Sequence, residues 1–344
     1  MVVKNESMYV KMKKVYIYPM FKKRTSTTGN TYAKLMCDAF NSSDQFRVVD
    51  HKIFGDSTFL NMYANLDADI FIFNWIENFR LSFKKITQFI TFLGFLSVAI
   101  LMRKDIVWML HNKHPHKGRN KVSFHTMKIM SRVSTCVITH SLEGKKYFEE
   151  KLSKKDKCYY IPHPVYTDII IPSRDIKWDY IIWGGISERK GILEFVKYAS
   201  KSEYFLSKSI LICGNCKNEK LADSIRQSLS DNIEFINRFL SDDEISSYIS
   251  KSRYILFTYA PSSVLSSGGL VYSLNFLKPI IGPNVGSFAE AKGIVSCYNE
   301  FNDIEKLEIS FDSDSCKDYI KNNAWEEFPL KLMAIINNKK NRRI

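Results

Sequence analysis

The chain has 344 residues, 45% of them hydrophobic and 14% aromatic, and a formal net charge of +14. That length and apolar content suffice for two packed domains and exclude a largely disordered chain. Seven cysteines at irregular spacing form no disulfide framework, and residues 1–15 are polar and lysine-bearing, without the apolar core of a signal peptide. A reducing, cytoplasmic location is expected.

Short β-branched or aromatic runs alternate with helical stretches, the pattern of parallel α/β sheets. In the first half the predicted strands are 15–18, 46–49, 70–74, 106–110, 137–139 and 159–161, with helices between them such as 31–40 and 122–133. Pro162, His163 and Pro164, with Pro172 beyond, break the pattern. A second series follows at 180–183, 210–213, 233–236, 254–258 and 279–281, and 325–337 is helical in pattern. The expected fold is therefore two Rossmann-like, doubly wound parallel sheets facing a central cleft, with a first domain at 1–170 and a second at 171–321. Residues 322–344 are expected to pack back on the first domain.

Charge divides unevenly between the two halves. Residues 1–170 hold 27 Lys and Arg against 14 Asp and Glu, whereas residues 171–344 hold 23 against 22. A basic first half suits an anionic partner such as phospholipid headgroups, a diphosphate-linked lipid or nucleic acid; it also fits a merely soluble surface. Segment 86–102 is almost unbroken apolar between Lys84-Lys85 and Arg103-Lys104. A helix buried against a sheet is the first reading and a membrane-dipping helix the second.

Several segments follow predicted strands and should open onto the cleft. The loop ending in Thr28, Gly29 and Asn30 is expected to face the cleft, within reach of a phosphate or of a second substrate. Trp75 suits stacking on a sugar face, or simple packing, and Glu77 is the best carboxylate for a base, or else a helix-start charge. His111, with His114 and His116 behind it, stands where a histidine binds a sugar hydroxyl, acts as base or holds a phosphate. That spacing matches no zinc site.

In the second half, Trp183 to Gly191 reads as strand, glycine turn and helix start, with Gly185, Ser187, Arg189 and Lys190 in it. Glycines admit a ligand close to the backbone, and two cations stabilise a departing diphosphate without metal. An ordinary βα turn with solvated charges is the plainer alternative. Ser266, Ser267, Gly268 and Gly269 begin the helix after strand 254–258, as a diphosphate cradle or a plain serine cap. Arg238 or Phe239, after strand 233–236, would meet the nucleobase.

Residues 178–290 resemble, in order, the nucleotide-binding domain of GT-B glycosyltransferases, in particular the GT4-like group. The resemblance rests on the glycine turn with Lys190-Gly191 and on the run Lys278-Pro279-Ile280-Ile281-Gly282-Pro283-Asn284-Val285-Gly286. It implies a nucleotide diphosphate sugar as donor, no other cofactor, and His111 close to the donor sugar. Many relatives carry two glutamates eight positions apart; here those positions are Val264 and Tyr272, so the chain resembles a subgroup with a Ser-Gly element, Ser267-Gly268. Tyr272 is then placed against the ribose, and donor identity does not carry over.

Three signals are discounted. Asp67 and Asp69 imitate a metal-binding pair but precede a strand. Cys213 and Cys216 have redox spacing without the context. His163, between two prolines, reads as a hinge. The expected function is metal-independent hexosyl transfer to a lipid-linked or other saccharide acceptor in surface polysaccharide or capsule assembly. It would take place with peripheral contact to an anionic membrane and without nucleic acid. A nucleotide-sugar epimerase and a basic nucleic-acid-binding protein are the competing readings.

Overall fold

The computed structural model describes residues 12–19, 31–53, 59–78, 86–113, 121–154, 156–170, 173, 175–260 and 265–341. The first domain contains β1 (Lys13–Tyr18), α1 (Tyr32–Asn41), β2 (Phe46–Val48), β3 (Ile70–Asn74), α2 (Ile86–Leu101), β4 (Asp105–Leu110), α3 (Lys121–Val133), β5 (Cys136–Thr139), α4 (Leu142–Tyr147) and β6 (Cys158–Tyr160). The second contains β7 (Trp178–Trp183), α5 (Ile192–Ala199), α6 (Glu203–Leu206), β8 (Ile210–Gly214), α7 (Glu219–Gln227), β9 (Ile233–Asn237) and α8 (Asp242–Ser250). It continues through β10 (Ser252–Leu256), α9 (Gly268–Leu274), β11 (Ile280–Pro283), α10 (Gly286–Glu290), β12 (Val295–Tyr298) and α11 (Ser313–Asn322). The last helix is α12 (Glu327–Asn341).

Both sheets are parallel and six-stranded, in the orders β2-β1-β3-β4-β5-β6 and β12-β11-β10-β7-β8-β9. Strands β3, β4, β5, β8 and β11 are buried along their whole length, because helices cover both faces. That is why they read as apolar runs. In each sheet the winding reverses once, between β1 and β3 and between β7 and β10. A crevice forms outside the carboxyl ends of strands at such a reversal.

The chain crosses between the domains twice. Val165 on the outward crossing pairs with Ala324 on the return, its amide donating to the Asn323 carbonyl at 2.8 Å. Beyond that point Trp325, Phe328, Leu332 and Ile336 join the core of the first domain.

Segment 86–102 is a helix, as its apolar run suggests, but only one side is buried. Phe92, Phe95, Leu96 and Ala99 enter the core, while Ile86, Ile90, Ile100, Leu101 and Met102 remain exposed. No helix among the described residues is long and apolar enough to cross a membrane.

Candidate functional site

The turn after β7 is fixed by backbone contacts. Gly191 has φ 62°, and a Cβ there would lie 2.3 Å from the Thr258 carbonyl oxygen. Thr258 Oγ1 donates to the Lys190 carbonyl at 2.7 Å, and the Ala260 amide to the Arg189 carbonyl at 3.2 Å. Only glycine permits that approach. The result aims two cations at one ring: Arg189 is 5.6 Å and Lys190 5.5 Å from the centre of Tyr259. Lys190 Nζ also donates to the Trp183 carbonyl at 3.1 Å. Burial works to raise the Tyr259 phenol, but Lys190, the Ser267 hydrogen bond and Arg189 together hold it below its usual range.

Opposite this turn, α9 begins. Ser267 caps it, accepting from the Leu270 amide at 3.2 Å, and lies 3.4 Å from the Tyr259 hydroxyl. The first amides of the helix, at Gly268 and Gly269, have no carbonyl one turn back to bond. A Cβ on Gly185 or Gly268 would meet open space, so neither glycine is demanded by packing. Both keep the cleft wall low where they line it. Trp183 Nε1 donates to Ser273 Oγ at 3.1 Å, and its ring lies 5.2 Å from that of Tyr272, whose hydroxyl is 3.0 Å from Ser246 Oγ.

The first domain supplies the facing wall. Trp75 leaves β3 with φ 55°, a conformation unusual for a bulky residue, and stacks on His111 at 5.1 Å and 22°. Asn74 Nδ2 donates to the Tyr18 carbonyl at 3.1 Å, which turns Asn74 Oδ1 toward His111 Nε2 at 3.0 Å. His111 Nε2 therefore carries a proton. Tyr32 stands at the centre, its ring 4.9 Å from His111, 5.3 Å from His163 and 5.1 Å from Trp325. Its hydroxyl lies 2.7 Å from His140 Nε2, and His140 Nδ1 faces the Ile161 carbonyl at 2.8 Å. Burial, with His163 and His111 nearby, holds His140 well below the usual histidine range.

Between the walls lies a cleft of about 480 Å³. It brings together Trp75, His111, Gly185, Arg189, Lys190, Ser266, Gly268, Gly269 and Tyr272 from the two domains. Among the described residues lining it, Asp242 is the one carboxylate.

The architecture matches solved structures along almost the whole chain. Sucrose-phosphate synthase from Thermosynechococcus elongatus aligns with 95% of this chain and 99% of its own, at a TM-score of 0.66 and 11% identity. HepE from Anabaena, solved with UDP, aligns with 94% and 100%, at 0.66 and 12%. A glycosyltransferase from Rickettsia africae aligns with 96% and 99%, at 0.59 and 13%. This is the GT-B fold. No protein-family model matches the sequence, and no curated protein matches it. At these identities the GT-B likeness establishes architecture alone.

Some expected site residues lie elsewhere in the GT-B frame. Glu77 does not open onto the cleft: its side chain is 0% exposed, behind Asn112, whose Nδ2 donates to Glu77 Oε1 at 3.1 Å. Burial pushes the Glu77 carboxyl up to about 7, against the lowering effect of its backbone and Asn112 hydrogen bonds. Ser187 is exposed in a separate depression beside Glu188 and Asn218. Arg238 pairs with Glu244 at 2.6 Å, and neither it nor Phe239 lines the cleft. Ser267 contributes a cap rather than a cleft-lining hydroxyl. Thr28, Gly29, Asn30, His114 and His116 lie outside the described residues.

The discounted pairs are structurally engaged. Asp69 accepts from the Lys14 amide at 2.9 Å and Asp67 from Lys14 Nζ at 2.6 Å, at the amino end of β3, away from the cleft. Cys213 is buried, its thiol pushed up to about 12. Among the described residues no cluster of three or more His, Cys, Asp or Glu is placed to hold a metal ion. Sequence reasoning missed Tyr32, Asn112, Tyr166, Asp242, Tyr259 and Trp325 as cleft residues, and took His163 for a hinge.

Proposed function

We propose that the protein is a glycosyltransferase that moves a hexose from a nucleotide diphosphate donor to a saccharide acceptor, without a bound metal. The carrying observation is the convergence of Arg189, Lys190 and the open starts at Gly185 and Gly268 on one side of a cleft whose other side is Trp75 and His111. The diphosphate would lie against the cations and the first amides of α9. The sugar would extend toward His111 and Trp75, whose stacked rings suit the face of a sugar, the imidazole being held in place by its Nε2–H bond to Asn74. In the transfer, the acceptor hydroxyl oxygen bonds to the anomeric carbon as the bond to the diphosphate breaks. The hydroxyl proton passes to the departing diphosphate or to water, and the negative charge left on the diphosphate is stabilised by Arg189 and Lys190.

HepE has been solved with UDP and with UDP-glucose, which favours a uridine nucleotide as the first donor to try. The exposed apolar edge of α2 beside Arg103 and Lys104 supports a lipid-linked acceptor at an anionic membrane surface, as in surface polysaccharide assembly. Incubation with UDP- and GDP-sugars, with and without polyprenyl-diphosphate-linked saccharide, tests the reading by release of nucleotide diphosphate. Acceptor-stimulated release is expected; no release from any donor would refute it.

A further inference from the structure

His163 enters the cleft floor from the first crossing between the domains. Proline on each side restricts its backbone, and its ring is held 5.3 Å from Tyr32, 4.9 Å from His140 and 6.5 Å from Trp325. Nδ1 lies 2.9 Å from the Pro164 carbonyl oxygen. A carbonyl only accepts, so Nδ1 carries the proton and Nε2 of the neutral ring carries the lone pair. Among the described residues no donor is bonded to Nε2, and the ring lines the cleft. Burial pushes the pKa down to about 4, against the raising effect of the Pro164 carbonyl. A ring so reluctant to take a proton binds a donor group but does not abstract its hydrogen at neutral pH.

We propose that His163 is a specificity-determining residue whose Nε2 accepts a hydrogen bond from a hydroxyl of the nucleotide sugar. This rests on the cleft being a nucleotide-sugar site. Diphosphate oxygens are acceptors and cannot satisfy a lone pair, whereas the ribose and the transferred sugar both offer hydroxyl donors. The two sources share one chemistry and are separable by experiment.

Calorimetric titration of wild type, His163→Phe and His163→Gln with UDP-glucose, UDP and 2′-deoxy-UDP tests it. Phenylalanine keeps a ring among the surrounding rings and removes the lone pair; glutamine keeps an acceptor and spoils the packing. The expected result is UDP-glucose affinity about tenfold weaker in His163→Phe at an unchanged Tm, with most of the affinity retained in His163→Gln. A loss confined to UDP-glucose assigns the hydroxyl to the transferred sugar. An equal loss for UDP, matched by wild type with 2′-deoxy-UDP, assigns it to the ribose. A merely structural histidine gives the reverse order, with phenylalanine tolerated and glutamine impaired; that order, or equal affinities in all three proteins, overturns the assignment. Should His163→Phe fail to fold, deoxy analogues of UDP-glucose against wild type and His163→Gln make the same comparison. No loss on removing any one hydroxyl would then overturn it. Wild type that binds neither UDP-glucose nor GDP-mannose removes the donor-site reading itself, before any variant is compared.

Discussion

Glu290 of the second domain accepts a hydrogen bond from the backbone amide of Leu142 in the first, at 2.5 Å. The reverse contact lies beside it: Glu143 accepts from the Gly286 amide at 3.0 Å and pairs with Lys113, next to the cleft residue Asn112. Each carboxylate thus meets the amino end of the other domain's helix, α10 or α4, where amides lack intrahelical partners and the dipole favours negative charge. Contacts of this kind contribute about 0.5–2 kcal/mol each. Glu143→Ala and Glu290→Ala should each lower Tm by roughly 2–4 °C. The double variant should also increase the radius of gyration in small-angle scattering, as the domains separate. An unchanged radius and Tm in the double variant would show that the pair does not hold the domains together.

Glu77→Gln separates a base from a positioning residue. Glutamine keeps an oxygen for Asn112 and removes the charge. Because Glu77 lies behind Asn112 and does not reach the cleft, turnover should fall less than about tenfold; a collapse of about a hundredfold or more would show that it takes the acceptor proton. Stability supplies a second readout. The folded carboxyl titrates near 7 and an unfolded one near 4.5. Below 4.5 both forms are protonated and burial carries no charge penalty. Between 4.5 and 7 the unfolded chain releases a proton that the folded chain keeps, so wild type loses stability as pH rises, on the order of 3 kcal/mol once above 7. Denaturant titrations at pH 4 and pH 8 should therefore show Glu77→Gln gaining on wild type at the higher pH only.

Gly185→Ala and Gly268→Ala test how closely a ligand approaches. Both added methyls would enter open space, so Tm should hold or rise. A diphosphate lying against these amides has no room for them, and donor affinity should drop about tenfold. Unaltered affinity in both variants would place the diphosphate elsewhere.

Lys190→Ala and Arg189→Ala address the leaving group. Each removes a cation from the ring of Tyr259 and should reduce kcat about a hundredfold. In the proposed reaction side-chain cations rather than a metal stabilise the leaving diphosphate, so activity should also survive EDTA. Full metal dependence, or normal kcat in both variants, would reject this assignment.

The strands were legible where they are buried on both faces, because β3, β4 and β8 then read as apolar runs. Strand β12 was not, since it is a four-residue edge strand with only Val295 and Tyr298 buried. The glycine turn could be placed because Gly184, Gly185 and the run Arg189-Lys190-Gly191 follow a strand within one short stretch of chain. Arg238 and Phe239 stand outside the cleft lining for a geometric reason: β9 is the sheet edge, two strands from β7, so its carboxyl end opens about 10 Å from the glycine turn. The cluster of Tyr32, His111, His140, His163 and Trp325 gathers residues from five distant segments. No local pattern announces it.

The last prediction concerns α2. Ile86, Ile90, Ile100 and Leu101 recur near the helical period on its outer side, with Leu101 82% exposed and Arg103 and Lys104 just beyond. A soluble surface seldom keeps such a stripe unless something covers it. Shallow insertion would remove these side chains from water at about 25 cal/mol per Å², and each basic residue near an anionic leaflet adds about 1 kcal/mol. The basic first half of the chain acts in the same direction. Sedimentation with anionic vesicles should therefore pull down wild type at low salt, less at high salt, and little with neutral vesicles. Ile90→Glu with Leu101→Glu should abolish pelleting without lowering Tm, since both side chains are already exposed. It should leave transfer to a soluble saccharide intact while slowing transfer to one anchored in the vesicle. Wild type recovered equally in the supernatant from anionic and neutral vesicles, at both salt concentrations, would leave α2 without a membrane role and favour a soluble acceptor.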